Sequence, residues 1–341
     1  MENLMIDSCV FFGMIEYNNF VTKYGAENLD QYLLKKKDIL QETKNKIKAT
    51  LSKEFFEKYS DLPFDAQVDK YKEWVNNRES ALNSAINSDE NLVNNHNPKI
   101  PAQKKERAKA EAENLKVELQ NLVKFDEVKD LLNSYRLKKN SIGSGLIYKG
   151  ALAGKYNLNT NAYSYNEILN HTKQKDDENW LCFSRKEVDD LTKKFTIIYT
   201  KSKEILDQVD KMSEDYRTEI PENQGDKRKD LTDKAMGQDV NSVGEFGDSK
   251  IMAFTNLTGM VLVTHNAKDF IFDKGVGKNN TCILNHITRA NKKYFGTTDA
   301  KAYTTFDILK ENYEKPAKAP GYKIQKQQAK NLNFEEELGM C

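Results

Sequence analysis

Short runs of wholly apolar residues, each closed by a polar side chain, constrain this chain more than any other feature. The first is Leu4-Met5-Ile6, closed by Asp7 and followed at once by Cys9-Val10-Phe11-Phe12. It reads as a buried strand turning directly into a helix. A strand that is apolar at every position is covered on both faces, as parallel strands between helices are. The same texture recurs in Trp180-Leu181-Cys182-Phe183, Met260-Val261-Leu262-Val263 and Cys282-Ile283-Leu284. Helical spacing is expected at 164–172 and 248–257. A longer helix is expected from Ser184, because Val188, Leu191, Phe195, Ile198, Ile205, Val209 and Met212 fall on steps of three, four or seven. That spacing argues against a strand at 195–200. Strands alternating with helices predict an α/β sandwich with a mainly parallel sheet.

A second texture fills residues 27–139. Leu33, Leu40 and Ile47 recur every seven residues in a charged background, and Ala108, Ala112, Leu115, Leu119 and Leu122 alternate steps of four and three. Each set forms an apolar stripe on one helix face. Pro98 and Pro101, within an Asn-rich stretch, separate two helical arms, and 64–82 reads as a further helix. The expected organisation is therefore a sheet-bearing domain built from 1–26 and 140–314, an inserted helical hairpin arm at 27–139, and a charged tail at 315–341.

Two polar segments complete the pass. Gly143, Gly145, Gly150 and Gly154 mark 140–161 as a glycine-punctuated loop, and no GKS or GKT makes it a phosphate loop. Residues 213–245, rich in Asp, Lys and Asn, read as a linker or lid.

Composition narrows the function classes. The 341 residues hold 53 basic and 52 acidic side chains for a net charge of +1, which argues against a uniformly basic nucleic-acid coat. Apolar residues are 38% of the chain, a low share that suits a solvated arm with one buried face. No run approaches the ~18 apolar residues of a transmembrane helix. The N-terminus lacks the basic region of a signal peptide. Four cysteines and four histidines are dispersed, and Cys282 with His286 has no second pair to complete a zinc set. The expectation is a reduced, cytoplasmic protein with no membrane segment.

Sites in parallel sheets gather at the carboxyl ends of strands. Asp7 ends the first run; Asp190 lies on the first turns of the helix after 180–183; Asp248 opens the helix that feeds 260–263; Asp269 lies just past that strand. Singly, each is an ordinary helix N-cap at a strand end or first turn. Together at one sheet edge they would repel unless cations neutralised them, and hard oxygen ligands select Mg²⁺ or Mn²⁺. Glu187 completes Ser184-x-x-Glu187, a capping-box pattern, and is read as a cap.

The segments MIDSCVFF, SRKEVDDL, GDSKIMAFTNLTG and VLVTHNAKDF together resemble the PIN-domain nucleases. The resemblance covers about half the chain, roughly 1–25 and 160–310. It implies a three-layer sandwich with a mainly parallel PIN-like sheet, here carrying the long helical arm. It also implies a metal-dependent endonuclease, most readily an endoribonuclease acting on single-stranded RNA, with Asp7, Asp190, Asp248 and Asp269 as the metal-holding catalytic acids. The matching second acid of the family is usually Glu, whereas this chain has Asp190. Thr264 and Asn266 are supporting candidates. Arg289, Lys292 and Lys293 are candidates for the phosphate backbone, with Tyr294 and Phe295 available to stack a base. The alternative is a non-catalytic PIN-like module that binds RNA or a protein partner through the helical arm.

Overall fold

The computed structural model describes residues 1–95, 97–173, 183–218, 244–265, 302–311 and 325–328. The chain opens with β1 (Glu2–Ile6) and α1 (Ser8–Tyr24). Five further helices follow: α2 (Leu29–Thr50), α3 (Lys53–Lys58), α4 (Phe64–Asn94), α5 (Ala102–Asn121) and α6 (Phe125–Leu152). Then come β2 (Tyr156–Asn161), α7 (Ala162–Lys173), α8 (Arg185–Thr192), β3 (Thr196–Tyr199) and α9 (Lys203–Thr218). The last described elements are α10 (Gly244–Thr258), β4 (Val261–Val263), β5 (Ala302–Tyr303), α11 (Thr305–Leu309) and β6 (Gln325–Gln328). The protein is α/β and predominantly helical. Among the described residues, no helix is long and apolar enough to cross a membrane.

The sheet has the order β5-β4-β1-β2-β3-β6, parallel through its first five positions, with β6 antiparallel to β3. Register sets Leu4 against both Leu158 and Val261, and Ile6 against Val263. From β1 the chain steps outward through β2 and β3, then returns to lay β4 on the other side of β1. That reversal makes the carboxyl ends of β1 and β4 the topological switch point of the sheet, where such folds open a crevice.

Two compact units divide the chain: Met1–Lys35 with Asn140–Cys341, and Lys36–Lys139. In the first, Leu4, Met5 and Ile6 are fully buried, so both faces of β1 are covered. Leu4 and Ile6 join Phe11, Met14, Tyr148, Val188 and Leu191 in one apolar cluster. In the second, Phe55, Tyr71, Trp74, Val75 and Leu132 form a separate core. Its α4 and α5 are helices on either side of Pro98 and Pro101, with Pro101 at the N-cap of α5. The α5 stripe buries Ala108 and Ala112 and leaves Leu115 and Leu119 half-buried.

Several expectations are corrected. The glycine-rich 140–161 segment is the second half of α6 followed by β2. Gly145 and Gly150 are contact surfaces rather than turns: a Cβ at Gly145 would lie 2.5 Å from Tyr17 Cε1, and one at Gly150 would lie 2.5 Å from Tyr156 Cε2, whereas Gly154 does make the turn between α6 and β2, at φ 74°. Strand β2 escaped notice because its sequence is polar. Asn159, Thr160 and Asn161 are nevertheless buried. Their side chains bond main chain instead of water, with Asn159 Nδ2 donating to Leu4 O at 3.1 Å and Thr160 Oγ1 to Ile6 O at 3.2 Å.

The long helix expected from Ser184 is broken into α8, β3 and α9. Its middle, Thr196-Ile197-Ile198-Tyr199, is β-branched and aromatic, and a short apolar run satisfies either period. The segment expected as a linker from 213 continues α9 to Thr218, and part of the expected tail, Gln325–Gln328, is a strand of the sheet. Phe183 lies in no strand. The remainder of the strand expected at 180–183, and the one at 282–284, fall outside the described residues.

Candidate active site at the carboxyl edge of the sheet

Asp7 sits at the switch point because β1 ends and α1 begins there. Its backbone is extended (φ −72°, ψ 155°), which suits an N-cap, and its Oδ1 accepts from Ser8 N at 2.8 Å. Its amide donates to Val263 O at 3.1 Å, tying the ends of β1 and β4 together. The other carboxylate oxygen, Oδ2, accepts from Thr264 Oγ1 at 2.7 Å and from Cys9 Sγ at 3.0 Å. Thr264 stands directly after β4, and both it and Asp7 are buried.

A second carboxylate joins this one through a single residue. Ser8, whose amide donates to Asp7 Oδ1, donates its Oγ to Glu167 Oε2 at 2.8 Å. Glu167 lies on α7, whose first turn is held by Asn161 Oδ1 accepting from Ser164 N at 2.9 Å. Burial, then the charge of Glu167, pushes the Asp7 carboxyl above its ordinary value, against the hydrogen bonds from Cys9, Thr264 and Ser8. Burial and the Asp7 charge push the Cys9 thiol well above its usual range, so it remains a protonated donor to Asp7.

The remaining site candidates are distributed as follows. Asp190 is on α8 with more than a third of its side chain exposed, and Lys193 Nζ donates to its Oδ1 at 2.7 Å. That contact with Lys193, foremost, lowers its carboxyl pKa. Glu187 closes a capping box with Ser184, its Oε2 accepting from Ser184 N at 2.8 Å, and its Oε1 accepts from Asn19 Nδ2 at 2.6 Å. Asp248 is in the opening turns of α10, three residues before Ile251, whose carbonyl accepts from Asn161 Nδ2 at 3.4 Å at the end of β2. The start of α10 therefore lies at the same sheet edge. Asn266, Asp269, Arg289, Lys292 and Lys293, with Tyr294 and Phe295, fall outside the described residues.

Glu167 is the acid that sequence reasoning missed. Its signal is visible in retrospect: Ala162-Tyr163-Ser164-Tyr165 opens the helix directly after a strand, and Glu167 lies on the second turn. The strand was masked by its asparagines, so the acid had no sheet edge to belong to. Ser8, Cys9, Ser144 and His265 were missed for a different reason, since their roles exist only through contacts across more than a hundred residues or beside Asp7.

Two carboxylates sharing one serine present hard oxygen donors, and the unfavourable charge between them is what a divalent cation would relieve. The donor chemistry fits Mg²⁺ or Mn²⁺. Among the described residues, no group of three or more His, Cys, Asp or Glu is arranged to hold a metal ion. No family model matches the chain, and neither does any curated protein or solved structure.

Proposed function

We propose that this chain is a metal-dependent endonuclease of PIN-like three-layer architecture, cutting single-stranded RNA at the carboxyl edge of its sheet. The observation that carries the reading is the pairing of buried Asp7 with Glu167 through Ser8 at the switch point. Glu167 is preferred to Asp190 as the second acid, because Glu167 shares Ser8 with Asp7 while Asp190 is engaged by Lys193.

When bound, a divalent cation would supply a water of lowered pKa and offset charge on the attacked phosphate. The chain's own part is orientation. Thr264 and Ser8 fix the two oxygens of Asp7, and Ser8 turns Glu167 toward the same edge. Asp248 and Asp269 are assigned to complete the acid set from α10 and from the segment after β4, with Asn266 in support. Arg289, Lys292 and Lys293 are assigned to the phosphate backbone.

The test is cleavage of mixed single-stranded RNA and DNA oligonucleotides by the full chain with Mn²⁺, beside Asp7→Asn. Cleavage of RNA that the variant lacks supports the reading. Wild-type protein that binds RNA without cutting it would replace this reading with the non-catalytic module.

A further inference from the structure

The turn that brings Thr264 to Asp7 is held from a third element, and the holding atom belongs to a buried serine. His265 follows Thr264, and its amide donates to Cys9 Sγ at 3.2 Å in the first turn of α1. Its ring Nε2 lies 2.8 Å from Ser144 Oγ on α6. Ser144 is fully buried. A hydroxyl taken out of water is unfavourable without a partner, and the imidazole is that partner.

The neighbouring helix is shaped to permit the contact. Gly13 sits in the middle of α1, where glycine weakens a helix. A Cβ there would collide with Ser144 Oγ and lie 2.8 Å from Ser144 Cβ, with His265 Nε2 at 3.9 Å. An alanine at position 13 would favour the helix and disturb the serine that meets His265.

We propose that Ser144 is a positioning residue: through His265 it fixes the turn after β4, and so the hydrogen bond from Thr264 to Asp7. For its effect on activity this rests on the nuclease reading; for its effect on the turn it does not. Residues that orient a metal-holding carboxylate typically cost ~10–100-fold when removed.

Three measurements on the full chain decide it. In amide hydrogen exchange, Ser144→Ala should speed exchange at His265 about tenfold with the melting temperature unchanged, because the ring loses its bond to Ser144. Ser144→Cys, which keeps a weaker hydrogen-bonding atom, should fall between the two. In cleavage of a single-stranded RNA oligonucleotide with Mn²⁺, Ser144→Ala should lower kcat about tenfold with KM nearly unchanged. The double variant Ser144→Ala/His265→Ala should be no worse than His265→Ala alone, since Ser144 acts through the ring. Unchanged exchange at His265, or losses that add in the double variant, would overturn the proposal. If the wild-type chain cuts nothing, the nuclease reading fails while the exchange measurement still decides the role of Ser144.

Discussion

The sheet-bearing unit and the helical unit Lys36–Lys139 bury different chemistry. The first buries Asp7, Ser8, Ser144, Asn159, Thr160, Asn161 and Thr264. The second buries Phe55, Tyr71, Trp74 and aliphatic neighbours, with Thr43 and Gln67 as its buried polar residues. Its charges stay outside, in exposed pairs such as Lys53 with Glu57 and Arg136 with Asp69. Exposed pairs contribute little, about 0–1 kcal/mol each. Buried polar groups cost stability unless they are paired, and a buried carboxylate costs most. The helical unit is therefore built as a stable body. The sheet unit carries an unfavourable charge at one edge, which makes that edge the place to look for chemistry.

The largest effect should come from that edge. Asp7→Asn is expected to cut RNA cleavage at least ~1000-fold, measured as single-turnover rate with Mn²⁺. The same substitution should not destabilise the apo protein at neutral pH. The folded pKa of Asp7 is raised by burial and by Glu167, so its ionisation opposes folding. Stability from this group is highest below its unfolded pKa, falls as pH rises through the folded pKa, and stays low above it. The variant should melt at or above the wild type, and Mn²⁺ should raise the melting temperature of the wild type alone. A marked loss of apo stability in Asp7→Asn would break the contrast between the units.

Trp74→Ala probes the other side. Trp74 is 3% exposed in the aromatic core of the helical unit, and its loss should cost about 3–5 kcal/mol in denaturant unfolding. Cleavage of a short RNA under folding conditions should persist. Loss of activity in a still-folded Trp74→Ala protein would show that the helical unit contributes to the chemistry.

Within the sheet unit, Glu167→Gln and Asp190→Asn separate the two candidate second acids. The first should lower cleavage about 100-fold with folding retained, because it removes the carboxylate that Ser8 brings beside Asp7. The second should leave cleavage close to wild type, since it removes the partner of Lys193 on a half-exposed helix face. The reverse ranking would return Asp190 to the site.

The smallest effect belongs to Glu187→Ala, expected to cost about 1 kcal/mol of stability as a lost cap, with cleavage kept. The Glu187 carboxyl is held below its ordinary value, first by Ser184. Its contribution is therefore present above the unfolded pKa and lost as pH falls through the folded pKa. Thermal melts of wild type and variant should converge in acid.

Local patterns in the chain determined a good deal. Leu4-Met5-Ile6 closed by Asp7 specifies a covered strand feeding a helix, because an all-apolar run needs both faces shielded and an aspartate accepts from the first helical amides. Pro98 and Pro101 break the helices that flank them, and Ser184 with Glu187 spells its own cap, since proline geometry and capping act within a few residues. Tertiary structure alone decided what depended on distant partners. The run at Thr196-Ile197-Ile198-Tyr199 became β3 because β2 and β6 pair with it. The polar Tyr156–Asn161 segment became a central strand because Leu4 and Ile6 offer carbonyls to its side chains. Glu167 reached the site because Ser8, 159 residues earlier, meets it, and Ser144 met His265 across 121 residues. A periodicity records which face of an element is apolar. It carries no record of which distant hydroxyl, amide or carboxylate will lie opposite, and at the carboxyl edge of this sheet those pairings make the site.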